Sequence, residues 1–250
     1  MATRIFYLPL EKDFKDSAGN TWTPTGSYEF VKLSDDNDGE INALYLKSKT
    51  SRLTGNFTKK VNSTNFVIKF YLQFLSNTNT NDCFDTTNYT SYNGFRLVQV
   101  NGNLYIEFGQ SPQYIFSWTP TIKKWYFFEI VKSGSTLNVY INNTLAKSFS
   151  CSATQSVTFS NVIGSCAQAL NTMIGYYSNI SLWEDTNDRT LDYTYESKKL
   201  EFSIKAPSNI TGTYTTAPNK IKYFYKVTFN KSSNVVNYVT EHKRRQPWAA

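Results

Sequence analysis

Apolar and polar side chains alternate with a period of two along most of the chain, and no stretch shows the spacing of an amphipathic helix. Phe66, Ile68, Phe70, Leu72 and Phe74 alternate with Val67, Lys69, Tyr71 and Gln73. Leu104, Ile106 and Phe108 alternate with Tyr105 and Glu107, and Tyr126, Phe128 and Ile130 with Phe127 and Glu129. Leu137, Val139 and Ile141 alternate with Asn138, Tyr140 and Asn142. Each run predicts a strand with one face turned to a core. Asn101-Gly102 predicts a tight hairpin between Phe95–Val100 and Leu104–Phe108, because both residues accept positive φ. Ser133-Gly134-Ser135 predicts a second one between Trp125–Lys132 and Leu137–Ile141. The polar, Asn/Thr-rich stretch Ser76–Asn93 predicts a long loop over one end or face of the sheets, where binding residues tend to sit. Many antiparallel strands joined by short turns predict an all-β sandwich or barrel.

Composition narrows the classes. The 250 residues are 40% hydrophobic and 16% aromatic, which supports one large β domain, or one domain plus a small appendage, and excludes a disordered chain. No run approaches the roughly 18 apolar residues of a membrane-spanning helix. The single histidine, His242, argues against most acid–base and nucleophilic chemistry. The first ten residues lack the pattern of a secretion leader, so a protein made and kept without export processing is expected. Cys83, Cys151 and Cys166 have no metal or redox spacing and read as free thiols, with a Cys151–Cys166 bridge as the alternative.

The net charge of +7 is unevenly placed. Residues 1–195 carry 16 basic and 16 acidic residues, whereas 196–250 carry 10 and 3, which is the whole excess. That shift sets a domain boundary: a neutral body over 1–195 and a basic β extension over 196–250. Short strands are expected in the extension at Leu200–Ile204, Ile221–Phe229 and Val235–Val239. So few residues make a small core, and the extension is expected to lean on the body or on another copy.

One stretch is more specific than its alternation. Lys124-Trp125-Tyr126-Phe127-Phe128-Glu129-Ile130-Val131-Lys132-Ser133-Gly134-Ser135-Thr136-Leu137-Asn138-Val139-Tyr140-Ile141-Asn142-Asn143 resembles the signature hairpin of laminin G-like domains in the concanavalin A-like lectin superfamily. In that family a Trp opens a strand, a charged-Ser-Gly turn follows, and the next strand ends in a Tyr-x-Asn-Gly corner. Here Asn143 stands in place of the Gly and must take a left-handed conformation. Ala43–Leu46, Asn65–Phe74 and Ile174–Trp183 fall in the family's order, the last looking like the strand that returns beside the first. The resemblance covers about residues 1–192. It implies a two-sheet antiparallel jelly roll whose relatives bind sugars, bind proteins or hydrolyse glucans, and which is common on bacteriophage fibres and capsid decorations. That analogy implies a virion-type structural or adhesive protein, made in a host cytoplasm, with virion proteins, other copies of itself and host-surface glycans as partners.

The glucanase members carry Glu-x-Asp-x-x-Glu on one strand, and Glu40-Ile41-Asn42-Ala43-Leu44-Tyr45 keeps only the first carboxylate, so no enzyme is expected. Asp36 and Asp38, in Ser34-Asp35-Asp36-Asn37-Asp38-Gly39-Glu40, offer hard oxygen ligands for Ca²⁺, the alternative being a solvated acidic loop. Glu184-Asp185-Thr186-Asn187-Asp188 is a second acidic loop of that kind. Tyr89, Tyr92 and Asn93 in the long loop, and Trp118, combine ring faces with a planar amide, as sugar binding requires. Trp125 and Trp183 read as packed at sheet edges or in the core. Lys243, Arg244 and Arg245 suit docking on an acidic protein surface or remain solvated, and no recognition motif supports nucleic acid. The expectation is a non-enzymatic adhesive sandwich with a basic anchor, the alternative being a free-standing lectin.

Overall fold

The computed structural model describes residues 2–34, 40–56, 59–61, 64–78, 80–85, 95–108, 113–153, 157–159, 162–165, 171–190, 213–216 and 223–226. Strands account for the regular structure, and no helix occurs among the described residues. The first sheet runs in the order β14 (Thr144–Ser150), β13 (Thr136–Ile141), β12 (Trp125–Ser133), β7 (Asn65–Phe74), β17 (Gly175–Glu184), β4 (Glu40–Leu46) and β3 (Tyr28–Ser34), with β1 (Thr3–Leu8) also on β17. The second runs β11 (Gln113–Ser117), β10 (Asn103–Phe108), β9 (Phe95–Val100), β8 (Asn81–Asp85), β16 (Val162–Gly164), β5 (Arg52–Gly55) and β2 (Trp22–Thr25). Two short ladders join β6 (Lys59–Val61) to β15 (Val157–Phe159), and β18 (Thr213–Thr216) to β19 (Tyr223–Lys226). The protein is an antiparallel two-sheet sandwich of the jelly-roll type; the alternation predicts a sandwich or barrel, and the laminin G-like resemblance implies the jelly roll.

The order of the first sheet follows the expected chain path. β17 lies between β7 and two partners that share its other edge, β4 beside Gly175–Tyr177 and β1 beside Ile180–Glu184. The last strand of the sandwich therefore does return beside the first. A bulge at Asn179 separates the two partners. Asn179 takes a φ of 49°, its amide donates to the Pro9 carbonyl, and its side-chain oxygen accepts the Tyr7 hydroxyl.

The turns obey local chemistry. Asn101 and Gly102 both have positive φ, 49° and 76°, as a two-residue primed turn demands. Ser133 pairs with Thr136, so the second hairpin closes over Gly134 and Ser135, with Gly134 at 56°. Asn142 and Asn143 take 50° and 65°, so the corner accepts a left-handed Asn143. Asn142 also continues the ladder through its side chain. Its Oδ1 accepts the Phe127 amide at 2.8 Å while its own amide donates to the Phe127 carbonyl.

The inward rows meet as a continuous aromatic and aliphatic core. Phe70 on the first sheet lies 5.2 Å from Phe128 beside it and 4.7 Å from Phe84 across the gap. Such tilted and offset ring pairs add to the burial itself. Beneath the hairpin, Lys132 is buried. Its ammonium donates to the carbonyls of Thr64, Gly134 and Ala153 at 3.0, 2.7 and 2.9 Å.

Two features depart from the sequence pattern. The stretch expected to be a long loop contains β8, whose residues Asn81–Asp85 are all buried. Its Asn and Asp side chains read as turn residues, yet they sit on a strand because other side chains satisfy them. β7 and β12 are also buried on the face away from the core, including Lys69 and Glu129. There Arg189, which follows β17, donates to Glu129 and lies with its guanidinium carbon 3.5 Å from the Tyr140 ring centre.

The chain divides into two compact units. One comprises Met1–Leu33 and Ile41–Arg189, and holds the sandwich. The other comprises Ser34–Glu40 and Thr190–Ala250, and includes β18 paired with β19; β19 lies within the expected Ile221–Phe229 stretch, whereas β18 falls where no strand was expected. The expected strands at Leu200–Ile204 and Val235–Val239 lie outside the described residues. Cys83 and Cys151 are free thiols.

Candidate functional site

On β9, β10 and β11 the residues Phe95, Leu97, Leu104, Ile106, Phe108 and Tyr114 face the core. Alternation then puts the residues between them on the opposite face. The hairpin register lines these up in three cross-strand rows. Arg96 pairs with Glu107, which pairs with Gln113; Val98 with Tyr105 and Ile115; Val100 with Asn103 and Ser117. The face thus presents a charged row, an aromatic and aliphatic row, and a polar row. With strands about 4.8 Å apart and about 3.4 Å per residue, the rows span roughly 10 by 14 Å, a footprint fit for a short oligosaccharide. Gln113, Ile115 and Ser117 are exposed, Arg96, Asn103 and Tyr105 are half-buried, and Val98 and Glu107 are buried, so the open part of the face lies on β10 and β11 with Arg96 at its edge.

The charged row is fixed from the side by β8, the next strand of the same sheet. The Arg96 guanidinium lies 3.0 Å from Asp82, 3.4 Å from Glu107 and 3.7 Å from Asp85. Gln113 Nε2 donates to the other Glu107 oxygen at 3.0 Å, and the Ser165 hydroxyl donates to Asp82 at 3.0 Å. Asp82 and Asp85 are fully buried while 17% of the Arg96 side chain remains exposed. Burial pushes the Asp82 carboxyl up to about 6; Asp85 adds to the rise, and Arg96 and Ser165 oppose it. Its three carboxylate neighbours raise the Arg96 pKa still further, against its burial. Lys49, held by the Thr80 carbonyl and Asn81 Oδ1, borders Asp82. The result is a rigid polar network carrying more acceptors than donors, beside a ring face.

Among the sequence candidates, Trp118 is in the described structure. It follows β11, is half-buried, and packs edge-on against Tyr126, Phe128 and Phe74 at 5.1, 5.4 and 5.8 Å. Its backbone amide donates to the Gly102 carbonyl. Tyr89, Tyr92 and Asn93, the Ca²⁺ candidates Asp36 and Asp38, and the docking candidates Lys243, Arg244 and Arg245 lie outside the described residues. Trp125 is fully buried, and Trp183 lies half-buried beneath the Arg4 guanidinium. In the second acidic loop the Asn187 side-chain amide donates to the Ser133 hydroxyl and the Asp188 backbone amide donates to the Thr186 hydroxyl. No grouping of three or more His, Cys, Asp or Glu suited to a metal occurs among the described residues; the three carboxylates of β8 and β10 enclose a guanidinium instead. The sequence reading missed Asp82, Asp85 and Arg96 as a group. Half of the signal was present, since a two-residue Asn101-Gly102 loop by itself sets Arg96 opposite Glu107.

No family model and no curated protein matches the sequence. Solved structures do match the fold. The binding domain of botulinum neurotoxin serotype G superposes with a TM-score of 0.55 at 16% identity, over 94% of this chain and 65% of that domain. The serotype D ligand-binding domain, solved with N-acetylneuraminic acid, gives 0.53 at 16% identity, over 89% of this chain and 61% of its own length. Domain 4 of an extracellular GH43 arabinanase from Geobacillus stearothermophilus, solved with arabinotriose, gives 0.52 at 17% identity, over 73% of this chain and 93% of that domain. The chain spans less than two thirds of the toxin domains it resembles. At such identities the likeness shows the fold alone: a two-sheet β-sandwich, shared with botulinum neurotoxin binding domains and with domain 4 of the arabinanase.

Proposed function

We propose that the sandwich is a non-catalytic glycan-binding module and that its binding face is the outer surface of β9, β10 and β11. The observation that carries this is the cross-strand arrangement of the charged row, Arg96–Glu107–Gln113, against Val98–Tyr105–Ile115. A sugar ring offers hydroxyls at its rim and C–H groups on its face. It is held by planar polar side chains already fixed in position, next to a ring or aliphatic surface. Here the polar heads are pinned by Asp82 and Asp85, so little side-chain freedom is lost on binding. The sandwich neighbours solved with arabinotriose and N-acetylneuraminic acid support the same class of ligand.

A glycan array probed with the whole chain tests this. Binding is expected, and Tyr105→Ser combined with Ile115→Ser should weaken it at least about tenfold with little change in melting temperature, since both side chains lie away from the core. An array without binding, or binding indifferent to the double substitution, would refute the assignment.

In its finer form the reading is a virion-type structural or adhesive protein. The sandwich faces a host surface, the basic residues Lys243, Arg244 and Arg245 dock on an assembly, and the protein resides on the particle with other copies of itself. The concentration of the entire +7 charge in residues 196–250 supports a docking role, through complementarity with an acidic partner.

A further inference from the structure

We infer that this face selects neutral glycans and rejects those ending in acidic sugars. The inference rests on the glycan-binding reading above and concerns the ligand class of the same site. Arg96 is the cation that reaches the surface of the charged row, and a terminal carboxylate would have to engage it. Its guanidinium already faces three carboxylates: Asp82 at 3.0 Å, Glu107 at 3.4 Å and Asp85 at 3.7 Å. Lys49 contributes a second positive charge beside Asp82, but its ammonium is held by the Thr80 carbonyl and Asn81. The five groups therefore carry a formal excess of one negative charge, and the excess sits around the only one of their cations in the charged row. An incoming carboxylate meets a guanidinium already engaged by three carboxylates, with like charge beside it on β8 and β10.

Hydroxyl groups meet a different surface. A carboxylate has about four acceptor directions. Glu107, 7% exposed at its side chain, receives Gln113 on one oxygen and Arg96 on the other; its remaining acceptor directions, with the exposed amide oxygen of Gln113, suit hydroxyl donors. Tyr105 and Ile115 in the next row offer the apolar contact that a ring face needs. The acceptor-rich row and the apolar row together match a neutral pyranose or furanose, which supplies donors and carries no charge to be repelled.

The test uses the whole chain with matched glycan pairs, lactose-terminated and sialyllactose-terminated, on the same linker. The lactose member should bind about tenfold more tightly or better at low salt, as expected for one unfavourable charge contact in a partly screened site. Raising the salt from about 50 mM to about 500 mM should narrow that ratio by strengthening the sialylated member, because screening acts on repulsion. Glu107→Gln should narrow it as well, without salt. Preference for the sialylated member, or a ratio near one that salt does not move, would overturn the inference while leaving glycan binding intact. Failure of every neutral and acidic glycan on the array to bind would overturn the site assignment and this inference with it.

Discussion

Replacing Asp82 by Asn should change how the stability of the sandwich depends on pH, in a direction opposite to that of an ordinary salt-bridged carboxylate. Asp82 is completely buried, and burial raises its pKa from 3.8 to about 6 despite Arg96 at 3.0 Å and the Ser165 hydroxyl. A carboxyl whose folded pKa lies above its unfolded value is held more easily as the acid. Its ionisation therefore costs stability, a cost absent below pH 3.8 and fully present above about pH 6. At about 1.36 kcal/mol per tenfold change in acidity, the full cost is roughly 3 kcal/mol. Linkage over the range from pH 8 to pH 5 relieves roughly 1.4 kcal/mol of it. Asp82→Asn removes the titration and keeps an oxygen for Arg96, while its amide nitrogen can donate to the Ser165 hydroxyl. Urea unfolding followed by tryptophan fluorescence, at pH 8 and pH 5 for both proteins, isolates the effect. The stability of the wild type relative to the variant should rise by roughly 1.4 kcal/mol on going to pH 5. A difference that stays flat, or that moves in favour of the variant, would show that Arg96 and not burial governs this carboxyl.

Lys132→Met keeps the length of the side chain but leaves the carbonyls of Thr64, Gly134 and Ala153 without the ammonium that joins them. A loss of about 3 kcal/mol is expected, and a melting temperature within about 1 °C of the wild type would contradict it. The docking proposal for residues 196–250 predicts that changing Lys243, Arg244 and Arg245 together to Ala abolishes retention of the protein on purified particles, and that high salt releases the wild type. Retention unaffected by either treatment would remove these residues from docking.

The period-two rows, the Asn101-Gly102 and Ser133-Gly134 turns and the low helical signal determine strands, hairpins and their inward faces, because all of these depend on neighbours within a few residues. The same locality made half of the candidate site readable, since the hairpin register alone aligns Arg96 with Glu107 and Val98 with Tyr105. The other half was not readable. Asn81, Asp82 and Asp85 look like loop residues, and they belong to a buried strand only because Gln99, Arg96 and Ser165 arrive from other segments to satisfy them. The burial of Lys69 and Glu129 has the same origin, for their partner Arg189 lies 60 residues beyond Glu129. The sequence by itself determined which side chains must leave water. The tertiary structure decided which charges could accompany them, because burying a charge is tolerable only where distant parts of the chain converge with opposite charges or hydrogen bonds.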